Sequence, residues 1–185
     1  MNTQLFKGEK VRLTALNPDK DAEVMSAWSH DADFLHRTTT EIAAPIPPPG
    51  YKKKIEEWMK DMDKNEVFVF GIRQPGDERL IGMAQIYWVE WPHGAAHFTI
   101  GIGKPEDRNK GLGSEAMRLL LRYSFHELNL HRLATFVSSW NADGLRFLAR
   151  FGFVEEFRRR ESLYIMGQRY DQVGVSLLKE EWHDN

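Results

Sequence analysis

The sequence predicts a mixed sheet covered by helices, an α/β (α+β) fold in a single domain spanning residues 1–185. Three observations predict it. Segments whose apolar residues recur at helical spacing interleave along the chain with short segments rich in branched and aromatic residues. The length of 185 residues, 42% of them hydrophobic and 12% aromatic, suits one substantial core and is short for two. No repeat and no low-complexity tract appears beyond "PIPPPG", Pro45 to Gly50, which is too short for an interdomain linker.

Lys10 to Leu16 reads as a first strand, and a helix follows from Pro18 to Ser29, with Asn17 as its cap and Pro18 opening it. The proline tract restricts the backbone and makes a stiff connection before the next helix. Tyr51 to Lys64 is that helix, with Ile55, Trp58, Met59 and Met62 on one face. Val67 to Ile72, Leu80 to Val89 and Ala96 to Ile102 form an antiparallel meander, separated by turn signals at "QPGD" and "WPHG". Leu112, Ala116, Leu119, Leu120 and Tyr123 make a helical stripe that packs on the sheet. Leu133 to Ser138 is a strand and Asn141 to Arg150 a short helix closed by Gly152. Phe153 to Met166 and Tyr170 to Leu178 pair around "MGQR". The expected order is strand, two helices, three strands, helix, strand, helix, two strands.

Composition excludes several functions. The chain contains no cysteine, so it forms no disulfide and has no thiolate nucleophile or cysteine-ligated zinc or iron-sulfur site; no metal is expected. No run of about 18 apolar residues occurs. The start "MNTQLFKGEK" lacks the apolar stretch of a secretory signal, so the expectation is a cytoplasmic protein with no membrane partner. A formal charge of −2 gives no overall attraction to nucleic acid. Arg158, Arg159 and Arg160 read as a solvated strand edge.

The stretch "DRNKGLGSEA", residues 107–116, places basic side chains and two glycines in front of the strongest helical pattern. A helix amino terminus has unpaired backbone donors and the positive end of the macrodipole, and glycines admit a phosphate close to that backbone. Arg108 and Lys110 add mobile positive charge. The segment is therefore either an anion cradle, suited to a nucleotide-like diphosphate, or an ordinary strand-to-helix turn. A P-loop requires lysine after its last glycine, whereas Lys110 precedes Gly111. A dinucleotide fingerprint requires a third glycine where Glu106 stands after Gly101 and Gly103.

The pattern that fits is RxxGxG, Arg108, Gly111 and Gly113, preceded by "HFTIGIG" and Pro105. It resembles the acyl-coenzyme A loop of the GNAT N-acetyltransferase superfamily. "NADGLRFLARFGF", Asn141 to Phe153, resembles that family's later helix, and "LYIMGQRYDQVGVSLLKEEW" resembles the closing strands of its ribosomal-protein and polyamine acetyltransferase branch. The resemblance runs from Lys10 to Trp182. It implies a mostly antiparallel central sheet with helices on both faces and a splayed strand pair, binding acetyl-coenzyme A as co-substrate.

By that resemblance, Ile100, Gly101, Ile102 and Gly103 pair with the pantetheine arm. Arg108, with the amides of Asn109, Lys110, Gly111, Leu112, Gly113 and Ser114, holds the diphosphate. Asn141 bonds the pantetheine or caps the helix behind it. The glycines of the strand suit an opening or bulge, or close packing against a helix. Acetyl transfer needs a neutral amine, a donor for the developing oxyanion and a proton for the departing thiolate. Amines are mostly protonated at neutral pH, so a base helps.

His97 begins the strand that resembles the family's cofactor-binding strand, and imidazole titrates near neutrality, which makes it the candidate base, with Glu90 and His93 second. Relatives commonly carry glutamate at its place. The tyrosine and serine that relatives use as proton donors are replaced by Leu148 and Gly144, leaving Tyr164, Ser138 or solvent. Trp28, Phe34, Trp88, Trp91 and Trp140 are candidates for an acceptor pocket. The resemblance implies a primary amine as acceptor, of a protein terminus, a polyamine, an antibiotic or an amino acid, and fold alone does not choose among them. The rival readings are a non-catalytic acyl-coenzyme A sensor and, further off, a generic nucleotide-binding protein. A homodimer is compatible with the exposed sheet edges.

Overall fold

In the computed structural model, which describes residues 4–184, the chain opens on a three-residue strand, β1 (Arg12–Thr14). Asn17 then caps α1 (Pro18–Ser29), its side-chain oxygen accepting from the amides of Asp19 and Lys20 at 3.0 and 3.1 Å. A second helix, α2 (Ala32–Thr38), was not expected from the sequence. It is too short for a periodic pattern to reveal and is fixed locally, the Asp31 carboxylate accepting from the Asp33 amide at 3.0 Å. α3 (Pro48–Asp63) starts inside the proline tract, not at Tyr51. Prolines are tolerated in a first helical turn because amides there have no helical partner.

The meander is β2 (Phe68–Arg73), β3 (Leu80–Glu90) and β4 (Ala95–Ile102), all antiparallel. α4 (Leu112–Arg122) runs into a π turn over Tyr123–Glu127, followed by β5 (Arg132–Ser138), α5 (Ala142–Ala149), β6 (Val154–Ile165) and β7 (Gln168–Leu178). Met166 and Gly167, both at positive φ, turn the final hairpin. Seven strands lie in the order β1-β2-β3-β4-β5-β7-β6, and β4 with β5 is the parallel pair.

Strand alternation divides the core between the two faces. Trp28, Phe34, Tyr51 and Ile55 of α1–α3 bury one face with Val69 and Leu80. On the other, Met117, Leu120 and Leu148 of α4 and α5 pack on Phe98, Leu133 and Val175. Two arginine pairs brace this frame. Arg73 donates to both carboxylate oxygens of buried Asp21, joining β2 to α1, and Arg79 grips Asp107 in the same way before the loop that leads to α4.

Gly101 and Gly103 form no bulge: β4 keeps its register with β3 from His97 to Ile102. The register shift lies at Trp88, whose φ is 49°, and it turns that indole outward. The two glycines instead admit the helices. A methyl group on Gly103 would fall within the indole of Trp28, and one on Gly101 would meet the methyl of Thr38. Gly103→Ala is expected to cost about 1–3 kcal/mol by overpacking, read as a lower denaturant midpoint at unchanged slope. An unchanged midpoint would mean that Trp28 yields freely.

Candidate active site

β4 and β5 pair only at Ala95–Arg132, Ala96–Leu133 and His97–Ala134. Beyond His97 they part: β4 stays with β3 as far as Ile102, and β5 stays with β7 as far as Ser138. The amide of Gly103 donates to Ile81 O at 2.9 Å, so odd-numbered residues of β4 face β3. The Phe98 amide completes the His97–Ala134 pairing on β5, and beyond it the Phe98 carbonyl and the backbone groups of Ile100 and Ile102 turn toward the gap. The sheet is open along one side of a strand for two turns of the pleat.

This fork opens into a cleft of about 1920 Å³. Its lining includes Phe98–Ile102, Thr135–Val137, Gly111, Gly113 and Ser114, together with Tyr51, Trp58, Tyr87, Trp88, Trp91 and Glu41. It is larger than a typical single-ligand pocket of about 300–1,000 Å³, so it has room for two reactants.

The loop before α4 turns on Asn109 and Gly111, at φ 60° and 80°. Gly111 has no side chain to cap the helix, and the first ladder bond runs from Glu115 N to Gly111 O at 3.1 Å. The amides of Leu112, Gly113 and Ser114 thus precede the ladder at the positive helix end. Leu112 itself is core, and Lys110 points to solvent. Lys10 was not singled out from the sequence, yet its Nζ lies 3.4 Å from where a Gly111 Cβ would be. The Glu115 carboxylate holds it there, accepting from the amides of Glu9, Lys10 and Val11 at 3.0, 2.7 and 2.6 Å. No local pattern marks a contact across about a hundred residues of chain.

Arg108 is not the mobile charge expected of it. Its Nη1 donates to Asp33 at 2.7 Å, its Nη2 to Gly103 O at 2.7 Å and its Nε to Ile102 O at 3.2 Å, clamping the end of β4 to α2. Arg37 first, and Arg108 with it, hold the Asp33 carboxyl below the ordinary aspartate range against the opposing effect of burial. With its amide on Ile81 and its carbonyl on Arg108, Gly103 has both backbone groups engaged.

Asn141 lines the cleft and caps α5. Its Oδ1 accepts from Gly144 N at 2.9 Å and Arg37 Nη1 at 3.3 Å, and its Nδ2 donates to Arg37 O at 3.4 Å. A Cβ on Gly144 would stand 2.5 Å from Asn141 Nδ2, so a larger residue there would have to shift the Asn141 side chain.

His97 stands at the fork. Its ring packs against Phe136, Trp88 and Tyr87, with centroids 4.9, 5.2 and 6.1 Å away, and these three line the cleft, whereas His97 does not. Its buried Nδ1 has no hydrogen-bond partner. Burial lowers its pKa, Arg132 lowers it further, and Glu90 opposes them. The ring is therefore neutral at pH 7. Burial, with Glu41 nearby, raises the pKa of the Tyr87 hydroxyl.

Neither proton donor suggested by the sequence lines the cleft. Tyr164 is exposed on β6, and Ser138 is buried, its oxygen accepting from Trp140 N at 3.2 Å. Of the aromatic candidates, Phe34, Trp88 and Trp91 line it; Trp28 is core, and Trp140 lies beneath Arg37. Arg158–Arg160 sit exposed along the edge strand β6. Among the described residues no helix is long and apolar enough to cross a membrane, and no group of three or more histidine or acidic side chains could hold a metal.

A sheet parted between two parallel strands, with an uncapped helix start at the mouth of the gap, suits an extended ligand that carries an anionic group. Sequence comparison identifies the family. Residues 10–154 match the profile of the acetyltransferase (GNAT) domain. Probable N-acetyltransferase YjcK of Bacillus subtilis is 30% identical over 181 residues, covering 96% of this chain and 98% of that one. The [ribosomal protein uS5]-alanine N-acetyltransferase of Escherichia coli is 27% identical over 136 residues, 73% of this chain and 70% of its own. The crystal structure of the Vibrio cholerae spermidine N-acetyltransferase with CoA and spermine has the same fold, with a TM-score of 0.81 at 24% identity, covering 94% of this chain and 98% of that one. The chain belongs to the GNAT acetyltransferase family, and it is an N-acetyltransferase.

Proposed function

We propose that this enzyme moves the acetyl group of acetyl-coenzyme A to a primary amine, by direct attack on the thioester. The observation that carries the reading is the fork of β4 and β5 beside the donor-lined start of α4. The residues fit the co-substrate. The Phe98 carbonyl, both backbone groups of Ile100 and the amide of Ile102 have the spacing to pair with the amides of a pantetheine arm. Gly101 supports them by letting α2 approach. The amides from Asn109 to Ser114, with Lys10 and Lys110, suit the diphosphate. Arg108 and Gly103 position the end of the strand, and Asn141 holds α5 along the cleft.

Neutral His97, whose ring lies behind the cleft wall, takes a proton through water from the substrate ammonium; the freed amine attacks the thioester carbon, the C–S bond breaks, and Tyr87, which keeps its proton at neutral pH, protonates the departing thiolate. The acceptor enters from the aromatic side of the cleft. Relatives that act on a ribosomal protein and on spermidine support an amine of either kind, and we place a protein amino terminus ahead of a small amine. A cytoplasmic location and a homodimer through the exposed edge of β6 complete the proposal.

The test is thiol release from acetyl-coenzyme A with a panel of peptides bearing free amino termini, polyamines and aminoglycosides. Saturable release that depends on one amine class is expected. Coenzyme A binding with no amine-dependent release across the panel would instead favour a sensor.

A further inference from the structure

Most charged side chains in the wall of the cleft are neutralised by the protein itself. Arg37 and Arg146 share Asp143, Arg108 holds Asp33, and Lys64 holds Asp61 and Glu66. Among the described residues, the lining charges left without an ion pair are Glu41, Lys54 and Arg150. Arg150 stands at the end of α5, over the ring of Phe147. Glu41 and Lys54 act instead on the aromatic residues of the wall.

Lys54 lies between Tyr51 and Trp58 on the stripe that α3 turns toward the cleft. It is half-buried, and its Nζ is 5.4 Å from the ring centre of Trp58 and 6.0 Å from that of Tyr51. Lys52, Lys53 and Lys64 each have a carboxylate partner, from Asp19, Glu57 and Asp61. Lys54 has aromatic faces in its place. Ring faces attract the charge but offer the ammonium no oxygen acceptor, so its N–H groups remain available to an anion.

Glu41 supplies the opposite charge. Its amide donates to Thr39 Oγ1 at 3.0 Å, which fixes the turn after α2, and among the described residues its carboxylate has no hydrogen-bond donor. That carboxylate acts on the Tyr87 hydroxyl, adding to the larger effect of burial there. A ligand in the cleft therefore meets a free carboxylate on the side of Tyr87 and a free ammonium on α3, with Trp58, Trp88 and Trp91 lining the same space.

We propose that the acceptor is an amine that also carries a carboxylate: Glu41 draws its reacting ammonium, and Lys54 pairs with the carboxylate and selects for it. A polyamine offers no anion, and its second ammonium would meet Lys54. An amine and a carboxylate on an apolar body occur together in a free amino acid, and in a protein terminus with an acidic residue next to its first. The inference rests on the transferase reading above and narrows the acceptor within it.

Acceptor kinetics at saturating acetyl-coenzyme A test it, with peptides that differ only in Asp, Asn or Arg after a free terminal serine, with amino acids against their carboxamides, and with spermidine. The wild-type enzyme is expected to favour the acidic peptide over its amide counterpart by about tenfold in kcat/KM, the lower end for a hydrogen bond between charged groups. The difference should lie mainly in KM, as for binding made before the transition state. A preference in the peptide series assigns the acceptor to protein termini, and one confined to the amino acids assigns it to small molecules. Lys54→Gln should bring acid and amide level, and Lys54→Glu should make the arginine peptide the best of the three. A wild-type enzyme that treats acid and amide alike or prefers spermidine, or a Lys54→Glu variant that still prefers the acid, would overturn the proposal. Equal loss toward every acceptor in Lys54→Gln would make the lysine a packing residue and overturn it too. No thiol release with any amine is a distinct result, since it removes the transferase reading and this inference with it.

Discussion

His97→Ala is expected to lower kcat by about a hundredfold to a thousandfold, the range for loss of a general base, with the affinity for coenzyme A changed by less than about twofold. The imidazole sits where β4 and β5 separate, packed behind Tyr87, Trp88 and Phe136 of the cleft wall, and its backbone lies before the stretch proposed for the pantetheine. Burial first, and Arg132 second, push its pKa below the ordinary histidine value. The acid limb of the wild-type pH–rate profile should therefore lie below about pH 6.5, and the variant should lack it. The stability linkage has the same sign: the folded state favours the neutral ring, so this contribution is complete above the unfolded pKa and is lost as pH falls through the folded one. His97→Phe, which keeps the aromatic packing, should unfold with a weaker dependence on acid. Full turnover in His97→Ala would assign the base to another group, and loss of turnover matched by loss of thermal stability in both variants would assign His97 to packing.

Arg108→Ala is expected to destabilise the fold by about 2–4 kcal/mol, since one guanidinium holds two strand-end carbonyls and an aspartate in a partly buried setting. It should also weaken coenzyme A binding by at least about tenfold, because the end of β4 and the loop that forms the cradle lose their common anchor. Arg108→Lys should rescue neither property, since an ammonium cannot reproduce the fork of donors. If affinity fell while the thermal midpoint stayed in place, and lysine restored it, Arg108 would be a direct phosphate ligand and the clamp only a state of the free enzyme.

Much of the frame is legible because local chemistry determines it. The cap and proline of α1, the turn at Met166–Gly167 and the apolar stripe of α4 each place an element without reference to the rest of the chain. The cradle is legible for the same reason, since Gly111 must adopt a left-handed backbone at a helix start. What decides the site is less local. The fork depends on how far β4 follows β5, a strand that comes thirty residues later and whose residues past Ala134 look like any other strand. Resemblance to a family supplied that feature, and spacing alone did not.

The roles of individual side chains were hidden for a related reason. Arg108 and Lys10 have exchanged the parts that charge alone would give them: Asp31 and Asp33, fixed by the unexpected α2, draw Arg108 inward, while Glu115 brings Lys10 to the cradle from the far end of the chain. Gly101 and Gly103 were ambiguous between an opening and a close approach. The bulk of Trp28 and Thr38 on the facing helices resolves them as a close approach.

Residue-resolved hydrogen exchange, with and without coenzyme A, tests the central claim most directly. Slower exchange is predicted at the amides of Ile100 and Ile102, which face the gap, and at Leu112, Gly113 and Ser114, while Phe98, already paired with β5, and Thr99 and Gly101, already bonded to β3, change little. Binding of coenzyme A that leaves the gap-facing amides and the start of α4 exchanging as before would contradict the account.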